Sequence, residues 1–208
     1  IGIAPPNSTS VDDTLANFTA NLVNGETYVL IANGLLDPSS YAANPDGRNI
    51  AFKLYANTDA RESANSGNVD FFVIHGATDA PTVDVIARDV ATLVDDAAYG
   101  NITGYISVPP ANYTLDLTLA DGTTLVASFI APLAGLGGGA ASVFASGFLD
   151  PSGNQNGAAF GLFAALSDGS VVELPAGVVP VELSSFTANV NGTDVNLTWS
   201  TATETNNN

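Results

Sequence analysis

The chain contains one histidine, His75, and this residue limits the acid–base chemistry that the sequence can support. Asp70 and Asp79 lie nearby along the chain, so a carboxylate could orient the imidazole beside a serine nucleophile. No Gly-x-Ser-x-Gly sequence is present to expose such a serine on a strand-to-helix turn. We therefore expect His75 to be a strand-end residue hydrogen-bonded to the following turn. A hydrolase site centred on His75 is the alternative.

Metal binding is limited by the same composition. Zinc sites use three or four His, Cys or carboxylate ligands, and one histidine without any cysteine argues against zinc. The run from Asp150 through Ser152 and Asn154 to Asn156 places oxygen side chains at alternate positions, which suits a hard cation such as calcium. This run lacks a bidentate glutamate, so a solvated turn is the favoured interpretation and no cofactor is expected.

Two acidic pairs, Asp12-Asp13 and Asp95-Asp96, are the remaining candidates for catalysis. A glycosidase would need one of them to face another carboxylate about 5–9.5 Å away across a cleft. Both pairs lie in polar stretches that are typical of turns. We interpret them as ordinary polar turns, and no catalytic residue is predicted.

Composition narrows the classes of function further. The 208 residues include 4 Lys and Arg against 21 Asp and Glu, a formal net charge of −17, which disfavours nucleic acids and anionic membranes as partners. Hydrophobic residues make up 46% of the chain, enough for a core, and no apolar run reaches the length of about 18 residues that predicts a membrane span. A chain poor in Lys, free of Cys and rich in Asn and Thr is typical of secreted bacterial surface proteins, so an extracellular or cell-surface location is expected.

An internal repeat organises the chain. Three segments near the N-terminus recur in the same order further along, and the offset changes only in the intervening loops, as expected for two copies of one domain. The matching pairs are residues 16–22 with 127–133, residues 30–38 with 143–151, and residues 52–56 with 160–164.

The repeat also bears on secondary structure. Residues 11–22 alone fit an apolar helical stripe with Ser10 as a candidate N-cap, but the second copy places Pro132 inside the equivalent stretch, and a helix interior does not tolerate proline. Both copies are therefore predicted to form a strand here that ends at a turn. The second copy is expected to contain about seven short strands, the pattern of a β-sandwich. They are predicted over residues 69–75, 82–87, 102–108, 113–119, 123–130, 140–147 and 158–166.

Four motifs in the second copy resemble a known family. They are the run from His75 to Val85, Gly104-Tyr105-Ile106, residues 108–115, and Ala145-Ser146-Gly147-Phe148. Together they resemble the bacterial family catalogued as domain of unknown function 4397, over about residues 1–175. Asn112 stands where that family usually has glycine, which is a change in a loop. The resemblance implies an immunoglobulin-like sandwich on secreted or cell-surface proteins, and it brings no established catalytic residues.

A third segment follows Pro175. Residues 181–188 and 195–200 alternate around Asn191-Gly192, which predicts a β-hairpin. This segment resembles the first two strands of the fibronectin-like module found near the end of many bacterial type IX secreted proteins. The expected fold is all-β, with tandem immunoglobulin-like sandwiches of which the first is incomplete. Residues 1–66 are the C-terminal part of the first sandwich, residues 67–176 the complete second one, and residues 177–208 the linker and hairpin.

Both ends of the sequence fall inside predicted domains, which predicts unpaired strand edges that can pair with another chain. One interpretation is a fragment whose remaining parts lie outside the sequence. The other is that the hairpin of one subunit completes the open copy of the next, which builds a head-to-tail filament. Arg48, Lys53 and Arg61 would then neutralise local carboxylates or meet an acidic neighbour. The residues expected to carry assembly are Ile1, Ile3, Phe186, Val195, Leu197 and Trp199.

These features predict a non-catalytic extracellular structural protein of a bacterial cell surface, which self-assembles head to tail by β-strand complementation. Its partners would be other copies of itself. The alternative is an adhesion or glycan-binding module of a secreted multidomain protein, whose partners would be glycans or neighbouring surface proteins. An exposed aromatic residue in a shallow groove would mark that alternative.

Overall fold

The computed structural model describes residues 1–178 and 183–201. Strands joined by turns make up these ranges, together with two short 3-10 helices, Val11–Asp13 and Pro38–Ser40, and they include no α-helix. No helix in this part of the chain is long and apolar enough to cross a membrane. The prediction of an all-β fold is confirmed.

Residues 1–66, called the N-terminal segment below, contain two separate two-stranded antiparallel sheets. The first pairs β1 with β2 and the second pairs β3 with β4. The bounds are β1 Gly2–Ile3, β2 Ala16–Asn17, β3 Val29–Asn33 and β4 Lys53–Asn57.

The strand predicted over residues 16–22 ends at Asn17, so that prediction is wrong for the rest of the stretch. The reason is that β1 offers only two residues for pairing. The preceding residues form a 3-10 turn because Ser10 Oγ accepts a hydrogen bond from Asp12 N at 3.1 Å, while the Asp13 carboxylate accepts one from Ser10 N at 3.0 Å. Ser10 is thus a cap, as its residue type indicates, of a much shorter helix than the apolar stripe suggests.

A β-sandwich follows the N-terminal segment. Its strands are β5 Val69–His75, β6 Val83–Ala87, β7 Ala91–Ala97, β8 Ile106–Val108, β9 Asn112–Leu119, β10 Leu125–Pro132, β11 Ala140–Ser146, β12 Gly161–Leu166 and β13 Val171–Glu173. A five-stranded sheet has the order β13-β12-β11-β5-β8, and a four-stranded sheet has the order β10-β9-β6-β7. One hydrophobic core cluster joins them, with Val69, Phe71 and Val73 from the first sheet against residues such as Val85 and Leu117 from the second.

The strand β5 is the centre of this arrangement. All seven of its residues are buried, so both of its faces are covered, as its apolar run from Phe71 to Ile74 suggests. It pairs in parallel with β11 on one side and antiparallel with β8 on the other. His75, at its C-terminal end, is therefore held in a fixed position.

The sequence pattern does not predict β7 or β13. Most residues of β7 are exposed, and Asp95 and Asp96 interrupt the alternation that marks a strand. β13 has only three residues, all exposed. The segment predicted as a strand over residues 102–108 is also shorter, because β8 begins at Ile106.

A hairpin of β14 Leu183–Asn191 and β15 Asp194–Thr201 lies near the end of the described residues. The turn contains Gly192 at φ +64°, a left-handed conformation that glycine adopts readily. Register pairs Phe186 with Trp199, Ala188 with Leu197 and Val190 with Val195. These six apolar side chains therefore lie on one face, because directly paired residues share a face of an antiparallel ladder.

Candidate functional site

The segments linked by the sequence repeat have the same strand register. Residues 1–3 align with residues 115–117, so the β1–β2 pair corresponds to β9–β10, and the β3–β4 pair corresponds to β11–β12. The equivalent cross-strand pairs are Ile3–Ala16 with Leu117–Ala127, and Asn33–Lys53 with Ser146–Gly161.

The loops that follow β3 and β11 are also alike. Gly34 and Gly147 follow β3 and β11 at φ +98° and +84°, and a Cβ on either would collide with the backbone carbonyl of Ala51 or Ala159. Leu35 pairs with Ala51 in an isolated parallel bridge, as Phe148 does with Ala159. The loop after β3 is the side of the contact with the sandwich that belongs to the N-terminal segment.

The other side of this contact is the junction loop, residues 76–82, which directly follows His75. Asn44 is buried, and its Nδ2 donates hydrogen bonds to Thr78 O at 2.9 Å and Ala80 O at 3.1 Å. Its Oδ1 accepts from Asp46 N and Arg48 N, so the amide has partners on both sides. A polar side chain buried with this many partners fixes the N-terminal segment on the sandwich.

Asn33 and Tyr99 make a second set of contacts at the junction. Asn33 Nδ2 donates to Gly76 O at 3.0 Å, and Asn33 Oδ1 accepts from the Tyr99 hydroxyl at 2.9 Å. Glycine at position 76 allows this approach, because the Cβ of any other residue would lie only 2.6 Å from Asn33 Nδ2. Arg48 adds hydrogen bonds to Tyr99 O and to Asn101 Oδ1.

Asn154 ties the loop after β11 to both partners. It is 1% exposed, and its Nδ2 donates to Asp79 Oδ2 at 3.0 Å and to Asp150 O at 2.9 Å. Its Oδ1 accepts from Ala42 N of the N-terminal segment at 3.0 Å. The rings of Tyr41 and Phe148 stack beside it, 5.6 Å apart. Three loops that are distant in sequence therefore meet at one buried asparagine.

The predicted calcium candidates lie in this same loop. Asp150 Oδ1 accepts hydrogen bonds from Ser152 Oγ at 2.6 Å, Ser152 N and Gly153 N, and the Ser152 hydroxyl is the main cause that lowers the pKa of Asp150. Asn154 Oδ1 is engaged by Ala42 N, and Asn156 lies at φ +54°. The structure thus places these residues in a turn held by N–H and O–H donors, the arrangement of a structural loop.

His75 is 2% exposed and lies at the end of β5. Its Nε2 is 3.0 Å from Pro81 O, and its ring contacts Tyr99 edge-on at 6.3 Å between centroids. Burial lowers the pKa of His75, and because a carbonyl oxygen can only accept, its Nε2 donates to Pro81 O. The expected strand-end position with a hydrogen bond to the turn is what the structure shows.

Neither carboxylate near His75 in sequence is its partner. Asp79 accepts hydrogen bonds from Leu149 N, Asp150 N and Asn154 Nδ2. Asp70 is held by Arg61, whose Nη1 lies 3.0 Å from Asp70 Oδ2. The proposed Ser–His–Asp arrangement is therefore not assembled among the residues that the structure describes.

The predicted assembly residues are separated into two groups. Ile1 and Ile3 lie at β1, where the Ile1 amino terminus donates to Phe18 O and Ile3 O accepts from Leu15 N. The hairpin residues are exposed, with Phe186 at 63% and Trp199 at 62%. Val195 and Leu197 complete the same apolar face on β15.

An apolar cavity lies inside the sandwich, near the end farthest from His75 in the sheet. Its volume is about 290 Å³, and it lies between the two sheets near Val69, Val108 and Leu136. Ser167 and Asp168 are among the few polar residues that line it. Hydrogen bonds from Ser170 engage Asp168 and lower its pKa, so this carboxylate belongs to a turn at the rim.

Residues 69–154, which span β5 to β11, match the family described as "Domain of unknown function (DUF4397)". The match covers the part of the chain that contains the His75 and Gly147 motifs, and it supports the resemblance noted there. No curated protein and no solved structure matches the chain.

Proposed function

We propose that this protein is a non-catalytic structural component of a bacterial cell surface, built from consecutive immunoglobulin-like sandwiches. Copies of the chain join head to tail when the β14–β15 hairpin of one copy packs on the N-terminal segment of the next. The observation that carries this proposal is the one-sided apolar face of that hairpin. The composition of the chain, poor in Lys and free of Cys, supports an extracellular location.

The hairpin has the pattern of half a sandwich. Phe186, Val190, Val195, Leu197 and Trp199 are each more than half exposed on one face, while Thr187, Asn189 and Thr198 alternate with them on the other. A two-stranded hairpin is at best marginally stable alone in water, and a contiguous apolar face of this kind marks an interaction site.

The N-terminal segment offers a matching acceptor. In the sandwich, β11 lies between β12 and β5, whereas its counterpart β3 pairs only with β4 in the described ranges. The edge of β3 that corresponds to β5 has no strand on it there, and Leu30 in this strand is 39% exposed. A strand from a second copy could pair with this free edge of β3 and complete its backbone hydrogen bonds.

Charge complementarity favours the same contact. Three of the four cationic side chains of the chain, Arg48, Lys53 and Arg61, belong to the N-terminal segment, while the rest of the chain is strongly acidic. Lys53 is exposed at the start of β4, and no salt bridge reaches it from the described residues. Arg48 and Arg61 are engaged within the chain, so a head-to-tail joint would bring carboxylates of the next copy towards Lys53.

The tandem arrangement is supported by the shared register of the repeated hairpins and by their equivalent glycine turns. The junction between the N-terminal segment and the sandwich then serves as the template for how consecutive units fit, with Asn44 and Asn154 as its buried contacts. The resemblance of residues 177–208 to a fibronectin-like module of type IX secreted proteins fits a position near the cell surface.

Assembly is tested by analytical ultracentrifugation and negative-stain electron microscopy of the full chain. The wild type is expected to form end-to-end particles whose size grows with concentration. Phe186→Ser with Trp199→Ser should return the chain to monomers, because both aromatic anchors of the apolar face are lost. Thr187→Ala with Thr198→Ala, on the opposite face, is the matched control and should assemble normally. A wild type that stays monomeric at high concentration would contradict the proposal.

A glycan-binding adhesion module is the second candidate. It is favoured by the cross-strand pair of Phe186 and Trp199, since adjacent exposed aromatic rings can stack against sugar rings. A glycan array probed with the wild type and with Trp199→Ala tests it. Binding that depends on Trp199 in a monomeric sample would replace the structural proposal by this one.

A further inference from the structure

Three carboxylates converge on the outer face of the four-stranded sheet. Asp84 of β6 and Asp95 and Asp96 of β7 each offer an oxygen, and these oxygens lie within 4.8 Å of one another. The β6–β7 ladder is irregular at this point, because Val83 pairs with Ala97 and Val85 with Val94. Two acidic residues of β7 therefore lie opposite the single residue Asp84.

Asp84 is the buried member of this group. It is 5% exposed, and its Oδ1 accepts a hydrogen bond from Asp96 N at 2.7 Å. Asp95 and Asp96 are exposed, so the group has one buried wall and one side open to solvent.

Thr118 supplies a second, independent observation. It is the direct partner of Asp84 in the β6–β9 ladder, so its side chain lies on the same face and next to that carboxylate. Thr118 is 5% exposed, and its Oγ1 has no hydrogen-bond partner among the described residues. A buried hydroxyl beside a buried carboxylate normally has a partner, and a bound cation or an ordered water on this face would supply one.

No cationic side chain neutralises the group. Arg88, which belongs to the same face, is bound to Asp116 through two hydrogen bonds of 2.7 and 2.6 Å. None of the salt bridges in the described ranges involves Asp84, Asp95 or Asp96. Three carboxylates this close repel one another unless a positive charge lies among them.

We propose that Asp84, Asp95, Asp96 and Thr118 form a calcium site. The donors are three carboxylates and one hydroxyl, all oxygen, which is the donor set of a hard cation. Calcium accepts six to eight oxygen ligands in a flexible geometry, so water on the open side completes the shell. The bound ion would join β6, β7 and β9 across the outer face of the sheet. This site is separate from the Asp150 loop, whose oxygens are engaged in a turn.

Isothermal titration of calcium chloride into the full chain in 150 mM sodium chloride tests the site. The salt screens diffuse binding to the net charge of −17. We expect one saturable site with a Kd of about 0.1–1 mM, the range of extracellular calcium modules. Asp95→Asn with Asp96→Asn should weaken binding at least tenfold, and asparagine tolerates the φ of +51° at position 96. The proposal is overturned if saturable binding does not occur up to 10 mM calcium.

Asp89→Asn is the matched control. Asp89 also has a left-handed φ, +59°, and lies in the turn between the same two strands, but it is outside the cluster. The control should bind as the wild type does. Equal weakening by Asp89→Asn and by the double variant would mean that only overall charge matters, and would overturn the site.

Thr118→Val tests the hydroxyl separately and nearly preserves side-chain volume. It should weaken calcium binding several-fold, while the melting temperature without calcium stays the same or rises because an unpartnered buried hydroxyl is removed. In the wild type, calcium should shift the amide resonances of Asp96 and Thr118 in ¹⁵N–¹H spectra. Unchanged affinity in Thr118→Val, together with unshifted resonances at these two residues, would place the ion elsewhere.

Discussion

Two aromatic pairs related by the repeat have nearly the same geometry in different surroundings. The ring centroids of Phe18 and Phe52 are 6.1 Å apart in the N-terminal segment, and those of Phe129 and Phe160 are 5.9 Å apart in the sandwich. Phe129 is 7% exposed and belongs to the main core, whereas Phe18 is only half-buried. The two rings of each pair come from different hairpin regions, so both copies pack these regions against each other in the same way, while the burial of the rings differs between the copies.

The strands that bury Phe129 are distant from it in the chain. In the sandwich, β5 and β6 supply Phe71, Val73 and Val85 to the same core cluster as Phe129. In the N-terminal segment, burial is concentrated instead in the loop that meets the sandwich, where Asn44 and Ile50 are buried. The N-terminal segment is thus stabilised through its contact with its neighbour more than through a core of its own.

The largest expected difference between the two regions comes from removing one ring of each pair. Phe129→Ala should lower the free energy of unfolding by about 3–5 kcal/mol, because it leaves a cavity in a sealed core. Phe18→Ala should cost less than half of that, because its site is already partly hydrated. Urea unfolding followed by far-UV circular dichroism measures both. Equal losses would mean that the N-terminal segment has a core comparable to that of the sandwich.

The junction is tested by Asn44→Ala. The change removes four hydrogen bonds and leaves the carbonyls of Thr78 and Ala80 without this partner, at a cost of about 1–3 kcal/mol. The N-terminal segment should then unfold before the sandwich, which calorimetry would record as two transitions. Asn49→Ala, in the same loop but exposed, is the control and should leave the thermogram unchanged. A single transition in Asn44→Ala at the wild-type temperature would contradict this role.

The smallest expected change in the free energy of unfolding comes from an ion pair of the sandwich that has no counterpart in the N-terminal segment. Asp116 pairs with Arg88, and the residue aligned with Asp116 is Gly2. The hydrogen bonds from Arg88 lower the pKa of Asp116, so this contribution is present above the unfolded pKa of about 3.9 and is lost as pH falls through the folded pKa. Asp116→Asn should therefore cost about 1–2 kcal/mol at pH 6 and less at pH 3.

Urea unfolding of Asp116→Asn and the wild type at pH 6, 4.5 and 3 measures this difference. The two unfolding curves should approach each other as the pH falls. A difference that stays constant over this range would mean that the stabilisation comes from packing of the side chains and does not depend on the charge of Asp116.

The sequence predicted the strands correctly where residues adjacent in the chain determine the local structure. The alternation and the buried apolar run predicted β5, β6, β9 and β11 closely, and the repeat predicted the paired hairpins. It failed at β7, where Asp95 and Asp96 are typical of a turn and lie at an irregularity in the pairing of β7 with β6.

The same limit applies to the candidate sites. Asn44 and Asn154 lie in Pro- and Gly-containing loops, so their types indicate solvated turns, and their burial depends on loops more than 30 residues away. The cluster of Asp84 with Asp95 and Asp96 likewise depends on register between strands. The placement of His75 could be predicted because its own strand and the next turn determine it.

The parallel pairing of β5 with β11 has a consequence for how the chain folds. Val73 pairs with Val143, so the central ladder of the sandwich closes a loop of about 70 residues. Contacts this distant in sequence slow folding, because the entropy of loop closure is lost before the contacts form. During synthesis, β5 emerges long before its partner, with an apolar edge that can pair with other chains. The yield of soluble protein should therefore depend on the rate at which β11 reaches β5 more than on the stability of the finished sandwich.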